Sequence, residues 1–378
     1  MKIAIYFNLP SGGAKRALYE QVKRLVSHHG VDIYTLDSAN HDFCDLRNIV
    51  KNYHIYPLKY RKKFPLNLLS IYFLLPRLHQ KIAQDIHKRN YDVAFICHDF
   101  FTQSPYLLRY LDIPSIYFCQ EPKREFYEHI PRVNKNFRYQ ATLPLRLPLK
   151  NIDRRNISYA GLILVNSLYS KKLIDQTYVV KASINYLGVD TEKFHPLKLI
   201  RENFVLSVGG FNLLKGHDFV IRSLSLIPSK LRPKFVIVGN GGEDELYLRR
   251  LARKNDVDLE MHQDVSDEKL LHWYNKARLF AYAPHNEPFG LAPLEATACG
   301  LPVVAVNEGG VGEILQNLSS CRLIKRNESQ MSKLITQKLN DKYNYSKIEK
   351  DIDIIKKKLN WDLSVKKLEK YFQKLCQK

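Results

Sequence analysis

The chain reads as an α/β protein of two doubly wound domains, each built on a parallel sheet. Three observations predict this. Short apolar runs alternate with helix-patterned segments along most of the sequence, the signature of parallel β-α units. Glycine or polar turn residues close each run. At 378 residues the chain exceeds one ordinary domain, and its 45% hydrophobic and 26% charged residues are typical of a globular protein rather than a disordered one.

In chain order, Lys2–Phe7 predicts a first buried strand, and Pro10-Ser11-Gly12-Gly13 a glycine loop. A helix over Ala14 to Ser27 follows, with Leu18, Val22, Leu25 and Val26 on one face. Asp32–Leu36, Val93–Cys97, Ser115–Phe118 and Leu162–Val165 complete a first set of strands. His195-Pro196 breaks local structure within a charged stretch, Glu192–Asn203, and marks the boundary. A second set runs Phe204–Val208, Phe235–Val238, Leu279–Tyr282 and Pro302–Val306. The expected division is 1–195 and 196–358, with 359–378 a C-terminal helix packing back toward the first domain. The whole tail, Lys347 to Lys378, reads as helical and basic, with Trp361, Leu363, Val365, Leu368, Tyr371, Phe372 and Leu375 as its packing face. Doubly wound sheets bind ligands beyond their strand C-termini, so a cleft between the two domains is expected to hold the ligand.

Charge narrows the partners. There are 59 Lys and Arg against 38 Asp and Glu, a formal net charge of +21, which suits phosphates, anionic lipid headgroups or nucleic acid. No nucleic-acid motif stands out, and nucleic acid is not expected as a partner. Two segments fall outside plain α/β units. Tyr56 to Gln80 carries Lys59, Arg61, Lys62 and Lys63 ahead of Leu66, Leu68, Leu69, Ile71, Tyr72, Phe73, Leu74 and Leu75. Arg132 to Arg155 interleaves basic residues with Phe137, Tyr139, Leu143, Leu145, Leu147 and Leu149. Both fit either a membrane-surface contact or a charged face over a core helix. Six scattered cysteines with no C-x-x-C pair predict neither a metal site nor a disulfide framework, and a reducing, cytoplasmic setting. Met1–Phe7 is too short for a secretory leader, and the longest apolar run, Leu68 to Leu75, is too short to span a bilayer.

The densest chemistry lies at Pro284-His285-Asn286-Glu287-Pro288-Phe289-Gly290-Leu291-Ala292-Pro293-Leu294-Glu295-Ala296. Gly290 frees a turn, Leu291 to Cys299 reads as a helix, and Gly300-Leu301-Pro302 stops it. A helix N-terminus there would offer unpaired N–H groups to a phosphate or diphosphate. Glu295 could accept from two vicinal hydroxyls while Glu287 reaches the other end of the same ligand. A sugar nucleotide has those parts.

Several motifs in order resemble the retaining GT-B glycosyltransferases of glycosyltransferase family 4 (glycosyl transferases group 1). They are Gly12-Gly13, Asn166-Ser167 before Gly188-Val189-Asp190, Gly209 with Lys215-Gly216, Gly239-Asn240-Gly241, the Glu287 to Glu295 segment, and Gly309-Gly310 with Glu313. The resemblance covers nearly the whole chain. It implies two Rossmann-like domains facing a central cleft, the first binding the acceptor and the second the nucleotide sugar. Glu295 would bind the donor ribose, with Phe289, Gly290 and Leu291 at donor sugar or phosphate and Glu287 facing the transferred sugar. Lys215 would neutralise the diphosphate. Gly209, Gly239, Asn240 and Val265 would contact the donor, the last three near its base. His98 stands where the family places a histidine near donor sugar or acceptor, and Gly12 and Gly13 form a loop for acceptor or phosphate. Asp99 and Gln120-Glu121-Pro122 are weaker candidates for the same cleft. Many family members carry an arginine shortly before the lysine, whereas this chain has Gly209-Gly210-Phe211.

The implied reaction moves a hexosyl group from a nucleotide-diphosphate sugar to an acceptor hydroxyl with retention, without metal and with no cofactor beyond the donor. The basic, apolar segments suggest a lipid-linked or cell-surface glycan acceptor, and a cytoplasmic enzyme peripheral to the inner membrane face. Two rival readings stand beside it. Glu287 and Glu295 could be a glycosidase acid and nucleophile, although a helix-opening turn between them is awkward for flanking one bond. Alternatively, the chain could be a non-enzymatic basic protein docking on anionic membrane or nucleic acid.

Overall fold

A computed structural model describes residues 1–60, 63–128, 140–341 and 344–377. The chain forms two compact units, Met1–Tyr186 with Ser364–Lys378, and Leu187–Leu363. Of the two basic, apolar segments, Arg61 and Lys62 of the first and Arg132, Phe137 and Tyr139 of the second lie outside the described residues.

Unit 1 is a seven-stranded sheet, order β3-β2-β1-β4-β5-β6-β7, with every pairing parallel. Its strands are β1 (Lys2–Asn8), β2 (Gly30–Leu36), β3 (Asn52–Tyr56), β4 (Val93–Asp99), β5 (Ser115–Phe118), β6 (Leu162–Val165) and β7 (Ser183–Ile184). β1 and β4 are covered on both faces, which is why they read as continuous apolar runs. Tyr6, Tyr34, Ile96 and Tyr117 face a core closed by Leu75, Ile82, Ile86, Leu149, Ile157 and Ile174. The end of the last helix, Trp361–Cys376, belongs to this unit: Phe372 meets Phe95 with ring centroids 5.8 Å apart, Glu369 lies 2.9 Å from His29 Nε2, and Tyr371 donates to the Ile184 carbonyl.

Unit 2 repeats the winding. Its strands β8 (Glu202–Val208), β9 (Lys234–Gly239), β10 (Leu259–Gln263), β11 (Ala277–Tyr282), β12 (Val303–Val306) and β13 (Cys321–Ile324) pair in parallel in the order β10-β9-β8-β11-β12-β13. In each sheet the order reverses beside the first strand, between β1 and β4 and between β8 and β11. Ligands of doubly wound sheets bind at the strand C-termini beside such a reversal.

The divisions expected at 195/196 and 358/359 both fall inside unit 2. Val189 N donates to Leu359 O at 2.8 Å, joining the two chain segments there. Asn275 fastens the stretch around His195-Pro196 by accepting from Leu197 N and donating to His195 O, so the charged, proline-broken segment is not a free linker. The basic tail is two helices, Tyr345–Lys358 and Trp361–Cys376, broken at Leu359-Asn360.

Candidate functional site

The unit 2 candidates gather at the C-terminal ends of β8, β9, β10 and β11. β8 delivers Gly209, whose N–H donates to Val238 O at 2.9 Å, and the chain then turns through Leu213–Lys215 into helix His217–Ser225. Gly216 closes that turn at φ +66°, where any Cβ would stand 1.8 Å from Ala283 O, so only glycine lets the turn touch the strand β11 exit. His285 N donates to Leu214 O at 2.8 Å across the same seam. Lys215 lays its stem beside Gly209, and its Nζ lies 2.8 Å from Glu287 Oε2. Lysine and glutamate are 31% and 19% exposed, so the pair faces solvent without being fully hydrated.

Glu287 is held by its backbone. Gly310 N donates to Glu287 O at 2.7 Å, and Gly309, at φ +71°, lies so close that a Cβ there would be 2.2 Å from that carbonyl oxygen. Arg326, just past β13, braces the loop: it pairs with Glu308 at 2.7 Å and donates to Ala283 O and Pro284 O. Beneath the loop, Tyr282 is buried. Burial first, then the charges of Glu287 and Glu295 and a hydrogen bond to Glu287, push its hydroxyl well above the ordinary tyrosine range. The hydroxyl therefore stays protonated as a donor.

Gly290 precedes helix Leu291–Ala298 with φ +103° and no side-chain cap, and Phe289 beside it is buried. Pro293 brings no N–H to the first turn, which leaves the amides of Leu291 and Ala292 as its donors. Glu295, one turn in, is only 5% exposed, and its Oε2 accepts from Tyr274 O–H at 2.9 Å. A ligand hydroxyl reaching this carboxylate shares it with Tyr274. Asp264 N donates to Gly239 O at 3.0 Å, which draws half-buried Val265 and Asn240 to one corner beside Gly239.

The unit 1 candidates lie at the ends of β1 and β4. Gly12 precedes helix Gly13–Leu25, with open space where its Cβ would be and no acidic residue in the first turn. His98 is 9% exposed, and burial lowers its pKa to about 4, so the imidazole is neutral. Its Nδ1 has no partner among the described residues. Asp99 is structural: it accepts from Tyr6 O–H, Asn8 Nδ2, Phe101 N and Thr102 N. Leu107 N donates to His79 Nδ1, which leaves the Nε2–H of this neutral histidine to donate to Tyr6 Oη. Gln120 is occupied too, accepting from Asn166 at its side chain and from Ser170 at its backbone, so these two weaker candidates serve the fold. Among the described residues no group of three or more His, Cys, Asp or Glu side chains is placed to hold a metal ion.

Sequence reasoning missed Tyr274, Tyr282, Arg326 and Glu308. Tyr282 carried a signal, as the last residue of an apolar strand directly before the motif. Arg326 carried none, because β13 itself was not foreseen.

Comparison with known proteins gives the class. The model of glycosyl transferases group 1 matches residues 189–359, and that of glycosyltransferase family 4 matches 11–193. Together they span most of the chain, which belongs to the family 4 glycosyltransferases. Among its relatives are a D-inositol 3-phosphate glycosyltransferase of Xylanimonas cellulosilytica, 34% identical over 29% of this chain and 27% of the relative, and the alpha-1,3/1,6-mannosyltransferase ALG2 of Saccharomyces cerevisiae, 23% identical over 83% and 70%. An uncharacterised glycosyltransferase of Methanocaldococcus jannaschii is 25% identical over 56% of this chain and 59% of its own. The chain thus spans less than two thirds of two of these three relatives. Solved structures show the same GT-B fold: sucrose-phosphate synthase of Thermosynechococcus elongatus, at 15% identity, aligns with a TM-score of 0.77 over 99% of both chains. Anabaena HepE, solved with UDP-glucose, aligns at 17% identity with a TM-score of 0.73 over 99% of this chain and 100% of its own.

Proposed function

We propose that the chain is a retaining glycosyltransferase that moves a hexosyl group from a nucleotide-diphosphate sugar to a hydroxyl of a lipid-linked or cell-surface glycan. The observation that carries this is the Lys215–Glu287 pair at 2.8 Å beside the uncapped start of helix Leu291–Ala298. A cation and free helix-start amides are what a departing diphosphate needs. Lys215 and the Leu291 and Ala292 amides hold the diphosphate, Glu295 with Tyr274 the ribose, and Glu287 the transferred sugar. Gly239, Asn240 and Val265 border the base. In unit 1, the neutral imidazole of His98 offers a hydrogen bond to a sugar or acceptor hydroxyl, and Gly12 and Gly13 serve the acceptor side.

In the step itself the bond from the anomeric carbon to the diphosphate oxygen breaks while the acceptor oxygen bonds to that carbon on the same face. The acceptor proton passes to the leaving diphosphate, whose growing negative charge Lys215 and the amides stabilise. On this reading no metal and no further cofactor takes part. The UDP-glucose complex of the HepE fold relative supports a sugar nucleotide as donor, and the involvement of another fold relative, the glycosyltransferase WaaG, in lipopolysaccharide biosynthesis supports a lipid-linked acceptor. The six free cysteines suit a cytoplasmic location.

The test is thermal unfolding with UDP-, GDP- and ADP-sugars, followed by turnover of the donor that stabilises. One donor is expected to raise the melting temperature and to support transfer after EDTA treatment. Stabilisation by none of them, in a folded sample, would overturn the reading; activity restored only by a divalent cation would overturn its metal-free part.

A further inference from the structure

We infer that unit 1 docks on an anionic phospholipid surface through the apolar face shared by residues 64–74 and the start of helix Leu143–Ile157. The first segment is helical from Leu66 to His87, with a π-helical turn at Ser70–Leu74. Leu68, Ile71, Leu75, Ile82 and Ile86 bury one face of it in the unit 1 core. Over residues 64–74 the outward face is apolar as well: Leu69 is 50% and Phe73 59% exposed, with Phe64, Leu66 and Leu74 exposed beside them. A surface helix ordinarily turns polar residues outward, and one that is apolar all round meets something other than water. Tyr72 O–H donates to Leu145 O at 2.6 Å, which brings up the second segment, where Leu145 and Leu147 are also about half exposed.

Charge selects the occupant. Along the first segment no Asp or Glu occurs between Leu46 and Gln84, and Lys59, Lys63 and Arg77 are exposed, while Arg146 on the second is already paired with Glu125. A second copy of this chain would bring cation against cation on this face, whereas anionic headgroups neutralise the basic residues while acyl chains receive the leucines and phenylalanines. Among the described residues no helix is long and apolar enough to cross a membrane, so the contact is with the surface.

The experiment is sedimentation of the full chain with vesicles of phosphatidylcholine alone or with phosphatidylglycerol added, without any sugar donor, so that the result is separate from the transferase reading. Binding is expected only to the anionic vesicles and should weaken as salt rises. Two double variants, Leu69→Ser with Phe73→Ser and Leu145→Ser with Leu147→Ser, alter exposed positions; far-ultraviolet circular dichroism checks that both stay folded. Each should lower partitioning by about tenfold or more. Wild-type partitioning in both variants would reduce the contact to unspecific charge adsorption and overturn the proposal. So would equal or absent binding to both vesicle types, or a wild-type dimer that the variants turn monomeric.

Discussion

Lys215 and Glu287 form an ion pair at 2.8 Å. On the proposed reading a diphosphate competes with this carboxylate for the same ammonium. Glu287→Gln removes the competitor's charge but keeps its shape, so nucleoside diphosphate alone is expected to bind tighter. A partly exposed pair is worth about 1 kcal/mol at most, or roughly fivefold in affinity. On the same reading sugar transfer should fall in this variant, because the side chain proposed to face the sugar is no longer an anion. Lys215→Ala should lower both affinity and turnover. Calorimetric titration beside a turnover assay separates the two; equal losses from both substitutions would show that the pair acts only as a structural brace. Tyr274→Phe strips a donor from a buried carboxylate, which should cost unit 2 about 1–3 kcal/mol in urea unfolding. It should also leave Glu295 more available to a ribose hydroxyl, so donor affinity is expected to hold or improve. A large loss of affinity would place Tyr274 itself on the ligand.

At the scale of elements, legibility follows burial. All nine inner strands of the two sheets are readable as apolar runs, from Lys2–Phe7 to Pro302–Val306. The four strands that were not, β3, β7, β10 and β13, are the sheet edges. Asn52-Tyr53-His54-Ile55-Tyr56 and Leu259-Glu260-Met261-His262-Gln263 mix polar and apolar residues because they are only partly covered, and Ser183-Ile184 is too short to show any period. The site divides the same way. The loop from Glu287 and the helix carrying Glu295 are contiguous in sequence and can be read there, whereas Tyr274 and Arg326 reach the motif only once helix Asp267–Lys276 and β13 are in place. The tail helix tests how far one element supports a unit distant in sequence. Phe372 is fully buried against Phe95, so Phe372→Ala should cost unit 1 about 3–5 kcal/mol. Because Phe372 lies in unit 1, the change should show in that unit's unfolding transition and leave the transition of unit 2 in place.

For the molecule as a whole, pH sets stability through groups that burial has displaced. His79 and His98 in unit 1 and His217 in unit 2 are each lowered from 6.5 to about 4 by burial. In the unfolded chain they take up protons near 6.5, but in the folded chain only near 4, so their contribution is complete above 6.5 and is lost as pH falls toward 4. Asp153 of unit 1 runs the other way. Burial raises it from 3.8 to about 6, against hydrogen bonds from Ser104 and Tyr178, so its contribution is complete below 3.8 and is lost as pH rises through 6. Between about 4 and 6, His79 and His98 together outweigh Asp153 by one proton, His41 and His54, which burial also lowers, add to unit 1 in the same sense, and His217 gives unit 2 one proton. Each unit should then lose at least on the order of 1.4 kcal/mol of stability per pH unit of acidification. Differential scanning calorimetry from pH 7 to pH 4.5 is expected to show both transitions moving to lower temperature together. In Asp153→Asn the opposing group is gone, so unit 1 should fall more steeply while unit 2 keeps its slope. A unit 1 slope unaltered by that substitution would mean that Asp153 is not the proton-binding group assigned to it.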